Sequence, residues 1–196
     1  MATNLRSDGD FNDKMFMDYR VGNAAEHPVG QDNWLTADET YTGVHEMGHV
    51  ANTYLSKQRA LKKNQNYGDY VDDFANDRTA NSVVKKVLDK TLTKEQKKKV
   101  VNFDRERVSL SGKKVRGNKF KHIDLSKSHL GSDITSGYVT SEIGNAGEFF
   151  AEAFADVYAH GRDARPASIE LVKEYERRRD KYNGQIQENF GKNKKK

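Results

Sequence analysis

Apolar residues recur at helical spacing in several stretches of the chain and lose that rhythm between them. Over 37–62, Val44, Met47, Val50, Ala51, Tyr54 and Leu55 share a helical face, and Thr36-Ala-Asp-Glu39 ahead of them has the form of a capping box. A second helix is expected over 69–90, on Tyr70, Val71, Phe74, Ala80, Val83, Val84, Val87 and Leu88. Thr93, with Gln96 as box partner, opens a third expected to run to about Val108. Between 110 and 140 the pattern breaks into Gly-, Ser- and Lys-rich pieces, with β-prone runs at Lys119–Leu125 and Gly137–Thr140. The segment 145–160, NAGEFFAEAFADVYAH, is strongly helical and stops at Gly161. A last helix opens near Pro166 and uses Ile169, Leu171, Val172 and Tyr175, to about Tyr182.

This pattern predicts a mainly α (α+β) fold with at most a small sheet. Residues 1–35, rich in Asn, Asp and Gly, read as an irregular lead-in anchored by Trp34, 36–183 as one domain, and 184–196 as a mobile basic tail. No internal repeat is present.

Composition narrows the chemistry. The chain of 196 residues is 35% hydrophobic and 32% charged, enough for one modest core. It has no cysteine, so any metal must be held by His and carboxylate ligands. The first residues lack a basic and then apolar leader, and no run of eighteen apolar residues occurs, so the expectation is a cytoplasmic or particle-packaged protein without membrane insertion. The net charge of +5 gathers in Lys-rich stretches at 62–63, 97–99, 113–121 and 192–196. Solvated faces explain them more simply than a nucleic-acid partner, since no recognisable nucleic-acid motif accompanies them.

His45-Glu46-Met47-Gly48-His49 sets two imidazoles four positions apart, on one helical face one turn from each other, where both reach a single metal. Glu46 beside them suits a general base that takes a proton from an activated water, as in zinc hydrolases. Gly48, and Ala51 below it, would let another backbone approach this face. A catalytic zinc takes three protein ligands, so a third must come from elsewhere. The helix carrying Glu148 and Glu152 is the best source: two carboxylates share a face amid Phe149, Phe150 and Phe154, costly to bury unless a cation and its histidines compensate. Glu148 is assigned as ligand and Glu152 as acceptor for the outer N–H of a ligand imidazole. The reverse assignment stays open, as does a plain solvent-exposed acidic stripe.

HEMGH followed by EFFAEAF resembles the gluzincin-like peptidases of the anthrax lethal factor group and the bacterial Pro-Pro endopeptidases. The block from Tyr138 to Pro166 is similar to metallopeptidase-like domains of phage minor head proteins and polymorphic toxins. The resemblance covers about a fifth of the chain. It implies a zincin-like domain with an HExxH helix, a glutamate helix, a small sheet edge, a Zn2+ cofactor and a protein or peptide substrate. It also implies a tyrosine shortly before the third ligand; Ser141 stands at that position, and Tyr138 is the candidate substitute for stabilising an oxyanion. The gap between His49 and Glu148 exceeds what the group leads one to expect, which implies a helical insertion at 65–110. His122, His129 and His160 are auxiliary candidates more simply read as surface or helix-end residues, and His27 as structural. The leading expectation is a zinc metalloendopeptidase. The alternative is a phage virion or injected-particle protein that keeps the zinc-binding scaffold, partnered by other particle proteins, with little or no proteolysis.

Overall fold

The computed structural model describes residues 41–62, 73–108, 114–131, 133–140 and 145–193. The lead-in with His27 and Trp34, the Thr36–Glu39 box and Ser141 lie outside the described residues. The described chain is mainly helical, with one two-stranded antiparallel sheet. In order come α1 (Tyr41–Leu61), α2 (Asp73–Thr91), α3 (Lys94–Lys99), β1 (Val101–Val108), β2 (Lys114–Asp124), α4 (Leu125–Ser128), α5 (Ala146–His160) and α6 (Pro166–Asn193).

The four long helices pack on one another, and their apolar faces meet in one core. Leu55 of α1, Val83, Val84 and Val87 of α2, Phe149 and Phe150 of α5 and Leu171 of α6 are all essentially inaccessible to solvent. The hairpin lies against this cluster and inserts Ile123 into it. Asn81 of α2 fastens β2: its amide donates to the Lys121 carbonyl (2.9 Å) and accepts from the Ile123 amide (2.8 Å). Glu174 of α6, 1% exposed, fastens the other side of α2. It accepts from Arg177 and Arg178 at 2.6–2.8 Å and pairs with Lys86, while the Arg178 guanidinium donates to Ser82.

Three sequence expectations need correction. The capping box at Thr93 and Gln96 forms, but its helix ends at Lys99 and 101–108 is a strand, so the stretch expected to be helical over 65–110 turns extended in its last part. Val100 adopts extended backbone at the helix end, and β1 is held by cross-strand pairing with β2 from Val101↔Asp124 onward. The second is 137–140, expected β-prone, which is helical. Ser136 accepts from the Val139 amide, and the Thr140 hydroxyl bonds back to the 136 and 137 carbonyls, local bonds that compete with a strand. The third is the basic tail: α6 continues through Asn193 rather than ending near 182. The sequence sets the start of α6, with Pro166 in its first turn, and the end of α5, where Gly161 takes a positive φ of 56°.

Candidate metal centre

Helix α1 presents His45 and His49 one turn apart, and α5 crosses it closely enough to bring Glu148 to both. The approach depends on Gly48: a Cβ there would stand 2.6 Å from the Ala151 Cα, so no larger residue fits without moving a helix. Ala51, one turn on, is half-buried and packs against the core. Glu148 lies in the first turn of α5, where its amide donates to the Asn145 side chain at 2.8 Å, the N-cap that starts the helix.

A single carboxylate oxygen, Glu148 Oε2, stands 3.2 Å from His45 Nε2 and 3.5 Å from His49 Nε2. Charge-assisted hydrogen bonds of this type are typically about 2.7–2.9 Å long, so both spacings are stretched for ion pairs. They suit two ligand atoms sharing one small ion: zinc–nitrogen and zinc–oxygen bonds of about 2.0–2.1 Å in a tetrahedron separate neighbouring ligands by roughly 3.3 Å. The three ligand atoms all lie within 4.8 Å of one another, the one such group among the described residues that could hold a metal ion.

Glu152, one turn beyond Glu148 and also buried, meets the other side of His45, with Oε1 2.8 Å from Nδ1. That contact orients the ring, with Nδ1–H donating and Nε2 turned toward Glu148. Burial pushes His45 toward neutrality, but the Glu148 and Glu152 carboxylates outweigh it and raise its pKa to about 9. Burial likewise opposes ionisation of Glu148, and the two imidazoles reverse this, holding its carboxyl well below the usual carboxylate range. A proton on Nε2 and a metal ion therefore compete for the same place. Glu46 is also buried, and its Oε2 has no hydrogen-bond partner, a position that costs energy unless a proton donor is supplied.

The centre borders, through His49 and Glu148, a cleft of about 510 Å³ whose walls come from α1, α2, the hairpin and the start of α5. His49 and Glu148 face it from one side; Phe103, Arg105 and His122 of the hairpin face it from another, and Arg105 is held by Asp77 at 3.0 Å. The Tyr138 ring stands edge-on to His45, centroids 5.9 Å apart. Of the auxiliary histidines, His122 alone lines this cleft. It is buried between Phe103 and Phe120, its Nδ1 donates to the Ile123 carbonyl at 2.7 Å, and burial lowers its pKa. Its alternation with Phe120 along β2 was the available signal. His129 is exposed in a left-handed cap after α4, and His160 donates to Asp156, which also accepts from the Arg165 amide.

The helix of Glu148 and Glu152 is thus no exposed acidic stripe, and Glu148, not Glu152, meets both Nε2 atoms. No known protein family, curated protein or solved structure matches this chain.

Proposed function

We propose that the protein is a zinc-dependent metalloendopeptidase of the zincin type, with His45, His49 and Glu148 as metal ligands and Glu46 as general base. One observation supports this above the rest: a single oxygen of Glu148 lies at ligand-to-ligand spacing from two imidazole nitrogens of an HExxH helix. Without cysteine, the set of two imidazoles and one carboxylate suits zinc with a position left for substrate. Bound there, zinc supplies a Lewis acid that polarises the scissile carbonyl and acidifies water. The Glu46 carboxylate takes the proton from water as its oxygen attacks the carbonyl carbon. It then delivers that proton to the departing nitrogen, so one water is consumed and an acid and an amine are released. Glu152 holds His45 through Nδ1 with Nε2 toward Glu148, and Tyr138, whose ring stands edge-on to His45, is the candidate phenol for supporting the developing oxyanion.

The test pairs metal analysis with cleavage of a degenerate peptide library. The wild-type chain should hold one zinc and cut peptides, and a chelator should stop cleavage. Glu46→Gln should keep the metal and lower the rate by about 10²-fold or more. Undiminished cleavage by that variant sinks the mechanism. A library left uncut with zinc bound favours the non-hydrolytic particle scaffold.

A further inference from the structure

A second cleft, of about 460 Å³, adjoins the first. The hairpin joins them: the rings of His122 in one cleft and Phe120 in the other are 5.6 Å apart. Helix α2 joins them too, with Asn76 and Asp77 facing the first cleft and Arg78 the second. Their linings differ in charge. Arg59, Arg78, Lys85, Lys86 and Lys121 surround the second cleft, with Asp89 as its one carboxylate.

Two of these cations are already matched, Lys86 by Glu174 and Lys121 by Asp104. Arg59, Arg78 and Lys85 have no ion-pair partner among the described residues. Arg59 is half-buried, and burial disfavours its charge; the nearby charges of Arg78 and Arg178 push the same way. Three uncompensated cations converging on a concave surface are destabilising alone and become favourable once an anion enters.

We infer that this cleft binds acidic side chains of the substrate and selects peptides with an acidic segment set back from the scissile bond. This rests on reading the neighbouring centre as a peptide hydrolase. The distance follows from α1, where Arg59 lies ten residues beyond His49. At about 1.5 Å per residue along a helix that is roughly 15 Å, which an extended peptide at about 3.3 Å per residue spans in four or five residues. The cleft is small and concave, sized for a few side chains. A nucleic-acid strand would need a longer basic track with several aromatic platforms, whereas Phe120 is the one aromatic ring lining this cleft.

The experiment uses the full chain carrying Glu46→Gln and measures binding of fluorescein-labelled hexaglutamate by anisotropy at low salt. Hexaglutamate should bind at least about tenfold more tightly than hexaserine, and Arg78→Glu with Lys85→Glu should remove about that factor. The pair Lys127→Glu with Arg162→Glu, which lines neither cleft, should leave it unchanged. The neutral pair Arg78→Gln with Lys85→Gln keeps the test valid if charge reversal unfolds the chain. Affinity indifferent to Arg78 and Lys85 overturns the inference, and so does hexathymidylate binding more tightly than hexaglutamate. In the peptide library, cut products should be enriched in Asp or Glu four or five residues from the bond, and the double variant should lose that enrichment. Cut peptides without enrichment break the link to substrate choice. An uncut library with Arg78-dependent hexaglutamate binding sinks the hydrolase reading while the anion cleft stands.

Discussion

Glu152 contributes to the centre only through His45. Replacing it with Gln keeps a hydrogen-bond acceptor but removes the charge that makes the imidazole a stronger donor to a metal. Zinc affinity should fall about 10–100-fold, read by competition with a chromogenic chelator, with the stoichiometry still one per chain. Unchanged affinity would show that the contact at 2.8 Å only packs the ring. At this scale much of the centre is legible in sequence. The spacing of His45 and His49 carries its own geometry, because four positions on a helix fix a shared face. Glu148 and Glu152 are legible as a pair, since carboxylates flanking Phe149 and Phe150 demand compensation. Which of the two meets both imidazoles depends on how far α5 slides along α1, and no local pattern records that. His122 is legible only as a candidate that alternates with Phe120; its place in the cleft comes from hairpin register, which no local pattern records.

Between elements, the contact of α1 with α5 turns on one hydrogen atom's worth of space. Alanine in a helix interior is normally favoured over glycine by about 1 kcal/mol. At Gly48 the new methyl would meet backbone at 2.6 Å, and overpacking of that kind costs about 1–3 kcal/mol, so the steric term wins. Gly48→Ala should lower the melting temperature and loosen zinc, whereas Gly43→Ala, with nothing within 4 Å, should be neutral or stabilising. Equal behaviour of the two variants in thermal melts would refute the close approach. The contact of α2 with α6 makes a different prediction. Arg177, Arg178 and Lys86 outweigh the burial that would raise the Glu174 pKa and bring it down to about 2. A depressed carboxyl stabilises above its unfolded value near 4.5, and that contribution drains away as pH falls toward 2. Its size is up to about 3 kcal/mol, from about 1.4 kcal/mol per pH unit. Urea titrations between pH 7 and 3 should show this loss in the wild type and a flatter profile in Glu174→Gln; parallel profiles would contradict it. Element types are legible where apolar residues are dense and both ends are marked, as in α5 between its Asn145 cap and Gly161. They were misread at 101–108, where Asp104, Arg105, Glu106 and Arg107 hide the alternation of a strand exposed along much of its length.

For the whole molecule, one core joins four helices and a hairpin, so a ligand that ties α1 to α5 stabilises everything built on them. Zinc at a hundredfold excess over its dissociation constant should add about 2.7 kcal/mol. For a chain of this size that is roughly 5–10 °C in melting temperature. Differential scanning fluorimetry with zinc and with a chelator measures it, and coincident melts would argue against a metal centre. No helix among the described residues is long and apolar enough to cross a membrane, as the polar composition leads one to expect. The hairpin's position relative to the helices is the part least accessible to sequence reasoning, because Asn81 secures it and an asparagine within a helical pattern carries no sign of that task. Its one carboxamide occupies the place of a neighbouring strand, satisfying an acceptor and a donor on β2 together. The hairpin wall of the cleft is therefore tied to α2 at several points, by this carboxamide, by Ile123 in the shared core and by Arg105 on Asp77, so wall and helix should travel as one piece.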